Sequence, residues 1–267
     1  MVTQPHSKAH KTKNQTIQRA APILTCFTPE KPHWALAELA TRLDMTPSTT
    51  YRYVAALQDA RLLERDEQRG GYRLGLGVVE LAYVVLNQME VRKQALDEMD
   101  ILRDEFDLLV NLAVLVDGDV LHIAHSVPKD WPRWHTTVGR RAVAHCTALG
   151  KLLLAHRPWP EVQQSIERYG WRPYTAHSIQ DFSRLQAALA SILQQGYSID
   201  DEERSLGTVC LAAPIRDYSG TVIAALSVTG KSEKLTAEYR VQVLSRVLEA
   251  ANRISFRLGY SHSPAYL

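Results

Sequence analysis

A run of hydroxyl, aromatic and cationic side chains, STTYR at residues 48–52, has the chemistry needed to contact DNA. A helix over this run places Thr50, Val54 and Leu57 on one buried stripe. The side chains that then project away from the core are those of Ser48, Thr49, Tyr51 and Arg52. Arg52 can bind guanine through two hydrogen bonds or contact a phosphate, and the hydroxyls of Ser48 and Thr49 can donate to phosphates or base edges. The alternative for Arg52 is a salt bridge on the surface of its own domain.

Three further arginines could extend this contact. Arg65, Arg69 and Arg73 lie on or beside a predicted β-hairpin, whose turn contains Gly70 and Gly71, residues that tolerate positive φ. Contact with the minor groove or with phosphates fits these positions. Strand alternation can instead direct Arg73 across the hairpin.

A second place for chemistry is the start of a predicted helix at Thr147. The first N–H groups of a helix have no acceptor within the helix, so those of Ala148, Leu149 and Gly150 would point toward a ligand placed there. A helix N-terminus attracts anions, and a carboxylate is the expected partner.

The elements that must position the DNA-contacting run form a predicted winged helix-turn-helix over residues 16–76. Apolar residues at helical spacing predict helices from Thr16 and around Leu36–Leu43, and a third that begins at Pro47-Ser48, with Ser48 as the cap. Strands at 62–65 and 72–74 then form the wing. Residues 1–15, which include Lys8, Lys11 and Lys13, are predicted to be a flexible basic arm that could touch DNA.

The rest of the chain predicts a linker helix and an α+β domain. Residues 77–110 are apolar at helical period without interior Pro, which predicts one connecting helix that packs on another copy of the chain or on the next domain. Residues 111–267 alternate short apolar strands with amphipathic helices, which favours a largely antiparallel sheet. Within this region Ser178 and Asp181 have the spacing of a capping box before a helix that ends at Gly196.

Composition limits the function classes. The chain has 267 residues, of which 22% are charged and 45% hydrophobic, and no window approaches the roughly 18 apolar residues of a membrane helix. With no apolar run of a signal peptide at the N-terminus, the expected location is the cytoplasm. Residues 1–76 hold 11 Lys and Arg against 7 Asp and Glu, whereas residues 77–267 hold 20 against 22. Only the N-terminal part therefore leans toward nucleic acid.

Several motifs in order resemble the IclR-type transcriptional regulators across nearly the whole chain. They are STTYR at 48–52, GYRLG at 71–75, HCTALGKLLLA at 145–155, GYSIDDEE at 196–203, LG at 206–207, CLAAPI at 210–215 and ALSVTG at 225–230. The resemblance implies an N-terminal winged helix, a linker helix and a C-terminal GAF-like domain that binds a small organic acid or aromatic catabolite. It also implies dimers joined through the DNA-binding domains, often paired into tetramers.

Matched residue by residue, the resemblance nominates as effector-binding residues Ala148, Leu149, Asp200, Thr208, Cys210, Ser227 and Thr229. Ser227 and Thr229 alternate on one strand, so their hydroxyls can point the same way. Glu202 and Glu203 are expected to form a solvated acidic loop. Specific binding would need a homodimer on a pseudo-palindromic operator, because one helix-turn-helix makes few contacts. No cofactor and no metal are predicted.

Two other functions compete with this interpretation. A metal- or thiol-responsive sensor would gather histidine and cysteine ligands from His122, His125, His145, Cys146 and Cys210. A thiol enzyme would pair Cys146 with His145, although neighbours at a helix start point in different directions.

The segment with Trp131 and Trp134 could close over a ligand or pack at the outer wall of its pocket, and Arg140 or Arg141 could pair with a second carboxylate of the ligand.

Overall fold

The computed structural model describes residues 15–131 and 138–261, and the chain divides between residues 86 and 87 into two units. The predicted arm, apart from Gln15, lies outside the described residues, and so does Trp134. Within the described ranges, no helix is long and apolar enough to span a membrane.

The N-terminal unit is a winged helix-turn-helix. Its helices are α1 (Gln15–Thr25), α2 (Leu36–Arg42) and α3 (Pro47–Asp59), and its wing pairs β1 (Leu63–Arg65) with β2 (Tyr72–Leu74) in antiparallel register. The core holds the predicted stripe of α3 together with Tyr53, which the sequence pattern did not place there. The predicted fold of this unit is confirmed.

The cap of α3 differs from the prediction. Thr46, not Ser48, is the N-cap, and its hydroxyl accepts a hydrogen bond from the N–H of Thr49 at 3.2 Å. Pro47 occupies the first helical position, where its fixed φ fits and no N–H is needed. The hydroxyl of Ser48, one position inside the helix, therefore remains exposed to solvent.

The run predicted as one connecting helix is two helices, α4 (Gly77–Gln88) and α5 (Glu90–Phe106). Met89, with ψ at 97°, leaves the helical region and caps α5. Periodicity could not reveal this break, because a single extended residue barely disturbs an apolar pattern. The division between the two units falls within this run.

The C-terminal unit contains a six-stranded sheet in the order β5-β4-β3-β8-β7-β6, with every neighbouring pair antiparallel. The strands are β3 (Leu109–Val116), β4 (Asp119–Ser126), β5 (Arg141–Ala142), β6 (Ser198–Asp201), β7 (Thr208–Arg216) and β8 (Val222–Lys231). The remaining helices are α6 (Ala148–Ala155), α7 (Trp159–Tyr169), α8 (Phe182–Gln195) and α9 (Ala237–Arg257). The predicted α+β class with a largely antiparallel sheet is confirmed.

Helices cover both faces of this sheet. Ala113, Ala212 and Ala225 share a buried cluster with residues of α6 and α8, so these helices cover their face. Alternation along each strand turns Leu112, Leu211 and Leu226 to the other face. Helices α5 and α9 pack on the sheet but contribute nothing to that cluster, which assigns them to the second face.

The start of α8 also differs from the prediction. Asp181 caps the helix by accepting from the N–H of Arg184 at 2.8 Å. Ser178 takes no part in a capping box; its hydroxyl accepts from the N–H of Tyr174 and donates to the carbonyl of Glu203 at 2.7 Å. The predicted end at Gly196 is confirmed, where φ is 79°.

Candidate DNA interface and candidate ligand site

The surface of α3 presents its nominated side chains to solvent. Ser48, Tyr51 and Arg52 are exposed, and Tyr51 retains 57% of its accessible surface. The guanidinium of Arg52 lies 5.4 Å from the ring centroid of Tyr53, which supports the arginine without using its hydrogen bonds. Thr49 is half-buried, and its hydroxyl accepts from that of Thr46 at 2.9 Å. Three of the four nominated side chains are thus accessible to a groove.

The three arginines of the wing differ in whether their side chains are already paired. Arg65 and Arg69 are exposed, and the backbone N–H of Arg69 is held by Asp66 at 3.1 Å in a turn that Gly70 and Gly71 complete with positive φ. Arg73 instead forms an ion pair at 2.5 Å with Glu64, its direct partner across the hairpin. A phosphate would therefore have to replace Glu64 to bind Arg73.

At the start of α6, two backbone N–H groups are available to donate to a ligand, whereas the sequence analysis expected three. Thr147 is the N-cap, and its hydroxyl accepts from the N–H of Gly150 at 3.2 Å, so that amide is already used. The amides of Ala148 and Leu149 remain as first-turn N–H groups without an acceptor inside the helix. Gly150 is required here because a Cβ would collide with the backbone of Ala144.

Strand register gathers the other nominated residues on the sheet face below α6. Residues directly opposite each other in antiparallel strands share a face. Cys210 is opposite both Asp200 and Thr229, and Ser227 is opposite Ala212, a member of the cluster under α6. Thr208 follows by alternation. One face therefore carries all five nominated strand residues: Asp200, Thr208, Cys210, Ser227 and Thr229.

Two of these residues are bonded to each other. The hydroxyl of Thr229 donates to the Sγ of Cys210 at 3.2 Å. Burial raises the pKa of the Cys210 thiol, which is therefore neutral and available as a weak donor. Ser227 is only 1% exposed. The pair and the buried hydroxyl form a small polar patch in an otherwise apolar layer.

Asp200 lies on the same face as the polar patch and also accepts hydrogen bonds from the backbone. It is 1% exposed, and its Oδ1 accepts from the N–H of Glu203 at 2.8 Å and of Arg204 at 3.2 Å. Burial, reinforced by the nearby Glu203 carboxylate, raises the pKa of Asp200 to about 7. Asp200 thus holds the turn after β6, a role that the sequence argument did not include.

The sequence pattern did not predict a buried ion pair that lies beside Asp200. Lys151 on α6 contacts Glu203, and its Nζ also donates to the carbonyl of Ile199 at 2.7 Å. The lysine is 5% exposed and Glu203 is 9% exposed, so the prediction of a solvated acidic loop is wrong for Glu203. The available signal was a single lysine inside the apolar run ALGKLLLA, where a charge is costly unless it is paired.

Several buried polar atoms of this unit have no hydrogen-bond partner among the described residues. They include Asn111 Oδ1, Ser198 Oγ, Glu203 Oε2 and the Nδ1 atoms of His122, His125 and His145, together with Trp131 Nε1. Most buried polar groups in folded proteins are hydrogen-bonded, so each such atom needs a reason. Asn111 is opposite Ser227, and Ser198 is opposite Ala212, which assigns both to the face below α6.

The competing chemistries find little support in this geometry. Cys146 is fully buried, and burial raises the pKa of its thiol to about 12, which disfavours a nucleophilic thiolate. His145 Nε2 accepts from the N–H of Arg172 at 3.1 Å and is not directed at the thiol. Within residues 15–131 and 138–261, no three His, Cys, Asp or Glu side chains are grouped to hold a metal.

Three of the four tryptophan and arginine residues considered before α6, namely Trp131, Arg140 and Arg141, lie among the described residues. Trp131 is half-buried. Arg141 is exposed, donates to the carbonyl of Val116 and lies 4.0 Å from Asp119, so it stabilises the β3–β4 hairpin. The carbonyl of Arg140 accepts from the N–H of His122 at 3.0 Å. A second carboxylate therefore has no prepared partner at Arg141.

Comparison with known proteins gives matches over both units. The family model for the "Bacterial transcriptional regulator IclR C-terminal" domain matches residues 83–256, and that for the "IclR helix-turn-helix domain" matches residues 16–67. The transcriptional regulator XynR of Escherichia coli is 26% identical over 92% of this chain and 98% of its own length.

Solved structures agree with these matches. The Thermotoga maritima IclR structure is 25% identical, covers 92% of this chain and 99% of its own, and superposes with a TM-score of 0.71. An IclR homologue from Microbacterium hydrocarbonoxydans, solved in complex with 4-hydroxybenzoate, is 24% identical, covers 91% of this chain and 98% of its own, and has a TM-score of 0.77.

Proposed function

The chain belongs to the IclR family of DNA-binding transcriptional regulators, and from this premise we propose that a small carboxylic acid, bound below α6, changes the affinity of a homodimer for its operator. The relatives are regulators rather than enzymes, in agreement with the buried, protonated thiol of Cys146. Effector binding acts by biasing the relative orientation of two winged helices.

The observation that carries the effector proposal is the polar patch under the start of α6. The amides of Ala148 and Leu149 lack helical acceptors, and Cys210 packs against the cluster that contains both residues. A carboxylate at this point would accept from the two amides, and the hydroxyls of Ser227 and Thr229 would supply neutral donors. The Microbacterium complex makes 4-hydroxybenzoate a reasonable first probe.

The DNA-binding proposal is carried by the exposed face of α3. Ser48, Tyr51 and Arg52 would enter the major groove, with Thr49 at the helix start beside the backbone. Arg65 and Arg69 would contact phosphates or the minor groove from the wing. Arg73 contributes less, because Glu64 already neutralises it.

The homodimer proposal is supported by α4. Apolar side chains that are about half exposed or more surround this helix and the residue before it: Leu76, Val79, Leu81, Val84 and Val85. A helix that is apolar on all sides is normally covered by protein. A second copy of the chain is the occupant we propose, because two half-sites of a pseudo-palindromic operator need two winged helices.

The test of the effector proposal is thermal unfolding of the full chain with small carboxylic and aromatic acids, 4-hydroxybenzoate included. An acid that binds only the folded state raises the midpoint, because at one hundred times its dissociation constant it adds about 2.7 kcal/mol to the free energy of unfolding. Ala148→Pro is the matched variant: Pro is tolerated at the first helical position after the extended Thr147, and it removes one amide donor. The response of the wild-type protein should disappear in this variant, and a retained response would refute the amide site.

A further inference from the structure

A groove of about 750 Å³ runs along the C-terminal half of α9, beside the point where β6 begins and β7 ends. This volume lies within the usual range of small-molecule sites. The described residues that line it include none of the nominated effector residues, so the groove is separate from the proposed effector site. We call it the α9 groove, and the side chains that can bind a ligand there are those of Arg216, Asn252, Arg253, Phe256, Arg257 and Tyr260.

Two arginines of the α9 groove are fixed by one buried carboxylate. Glu98 on α5 is 2% exposed, and it accepts a hydrogen bond from Arg253 Nη2 at 2.8 Å and from Arg257 Nη2 at 2.9 Å. Both arginine side chains remain partly exposed. Glu249 lies 3.7 Å from Arg253 but contacts Arg246 more closely. Glu98 therefore balances one of the two positive charges, and the other is presented to the groove.

A third arginine enters the groove from the end of β7. Arg216 Nη1 donates to the carbonyl of Gly220 at 2.8 Å, and Arg216 Nη2 lies 3.4 Å from His156 Nε2. Its guanidinium is 6.0 Å from the ring centroid of Tyr260. A guanidinium has five N–H donors, so these contacts leave several for a ligand. Because the side chain is already held in place, it loses little conformational freedom on binding.

The charge of the groove selects the kind of ligand. Arg216, Arg253 and Arg257 line it, and none of the described residues that line it is acidic. With Glu98 counted against them, the three guanidinium groups retain two positive charges. A phosphate monoester carries about 1.5 to 2 negative charges near pH 7 and three terminal oxygens, which the guanidinium fork binds in pairs. A carboxylate offers one charge and two oxygens and would leave part of the groove unmatched.

An exposed aromatic ring adds a second feature to the groove. Phe256 is 72% exposed, and it follows Arg253 by three residues, so the two side chains are neighbours on the helix surface. A planar ring of a ligand can stack on Phe256 while its phosphate contacts the arginines. Asn252, one turn before Phe256, is exposed and places an amide with both donors and an acceptor on the same side. Polar atoms of the ligand ring can bind this amide.

We propose that the α9 groove is a second small-molecule site, which binds a phosphate monoester with a planar ring, such as a nucleoside monophosphate. Arg216, Arg253 and Arg257 bind the phosphate, and the ring stacks on Phe256. The inference does not depend on the proposed effector site, because the α9 groove uses other residues on other elements.

The first test is calorimetric titration of the full chain with phenyl phosphate, the simplest aromatic phosphate monoester, in a buffer without phosphate. We expect a dissociation constant of about 1 mM or lower. Asn252→Asp adds a negative charge to the groove and should weaken this binding about tenfold or more. Gln242→Glu, the same exchange of an amide for an acid at an exposed position three turns earlier on α9, is the matched control and should leave binding unchanged.

Three outcomes of this titration would overturn the proposal. The first is the absence of binding in the wild-type protein, and the second is an equal affinity of wild type, Asn252→Asp and Gln242→Glu. The third concerns Ala148→Pro, which alters the start of α6 and should bind phenyl phosphate as the wild type does. A loss of binding in Ala148→Pro, with normal binding in Asn252→Asp, would place the phosphate in the effector site instead.

The second test separates the ring from the phosphate. Methyl phosphate has the same charged group without a ring, so it should bind the wild-type protein at least about fivefold more weakly than phenyl phosphate. Phe256→Ala should remove this difference, and the unfolding midpoint should stay the same because Phe256 is largely exposed. An unchanged preference for phenyl phosphate in Phe256→Ala would show that the ring does not stack there, and the assigned ligand class would be wrong.

A third measurement distinguishes a small phosphate ester from the phosphates of DNA. The affinity of Asn252→Asp for duplex DNA, measured without phenyl phosphate, should equal that of the wild-type protein and of Gln242→Glu. A lower DNA affinity in Asn252→Asp alone, together with no binding of phenyl phosphate to the wild type, would assign the groove to the DNA backbone and overturn the proposal.

Discussion

The DNA-contacting surface of α3 and the sheet face below α6 treat their polar groups in opposite ways. On α3, Ser48, Tyr51 and Arg52 are exposed, and water satisfies their hydrogen bonds when no DNA is bound. Below α6, Asn111 Oδ1 and Ser198 Oγ are buried and have no hydrogen-bond partner in the part of the chain that the structure describes. The polar groups of the α3 surface therefore do not destabilise the fold in the absence of DNA. The unpaired atoms below α6 do destabilise it, unless a ligand or a bound water forms hydrogen bonds with them.

This difference changes how each region responds to mutation. Substitutions on the α3 surface should change DNA affinity and leave stability almost unaltered. Substitutions below α6 should change stability first, in a direction that depends on whether the altered group has a partner.

The largest effect is expected at the buried ion pair. Lys151→Met leaves the buried Glu203 carboxylate without its cation, which should lower the free energy of unfolding by about 3–5 kcal/mol. Chemical denaturation measures this value. The double variant Lys151→Met/Glu203→Met should recover much of the loss, because no isolated charge remains. Glu80→Gln, in the exposed pair with Arg61, is the control and should change stability by about 1 kcal/mol at most. If Lys151→Met lowered the free energy of unfolding by as little as Glu80→Gln does, the buried pair would contribute no more than the exposed one, and this prediction would be wrong.

A pH-dependent effect of intermediate size is expected at Asp200. Its pKa is about 7 in the folded chain against 3.8 for the free side chain, so the folded state binds the proton more tightly than the unfolded state. Asp200 therefore lowers stability as pH rises from about 4 to about 7, by an amount on the order of 2–4 kcal/mol. Asp200→Asn keeps an acceptor for the two backbone N–H groups and should remove this component. If the free energy of unfolding changed with pH in the same way in the wild type and in Asp200→Asn, the predicted contribution of Asp200 would be wrong.

On the DNA-contacting side, Arg52→Ala should weaken binding to an operator selected from random duplexes. A lost base contact of about 1–3 kcal/mol corresponds to a loss of roughly 5- to 150-fold in affinity, and the melting temperature should stay the same. Arg73→Ala is the control, because Glu64 already holds that guanidinium, and its effect should be much smaller. Equal losses for the two variants would remove the distinction between them.

The smallest effect is expected on the wing. Arg65→Ala or Arg69→Ala should weaken binding to all DNA sequences alike and reduce the slope of log affinity against log salt by about 1. Titrations at several salt concentrations measure this slope. A loss restricted to the selected operator would instead assign the altered arginine to base recognition.

The local elements were largely predictable because their determinants are neighbours in sequence. Apolar spacing predicted α1, α2 and α3, and the Gly70-Gly71 turn predicted the wing. Two caps were assigned to the wrong residue, Ser48 in place of Thr46 and Ser178 in place of Asp181. Several hydroxyl and carboxyl groups near a helix start can cap it equally well, and the backbone path chooses among them.

The sequence by itself determined the fold class, the family and the elements of the winged helix-turn-helix, since these depend on spacing and on short motifs. Only the tertiary structure decided that Glu203 is buried against Lys151, and that Asn111, His122 and His125 share a face with Ser227. The physical reason is strand register. These residues come from α6, from the turn after β6 and from three strands, and the side of a sheet that a strand residue occupies depends on pairings between segments far apart in the chain.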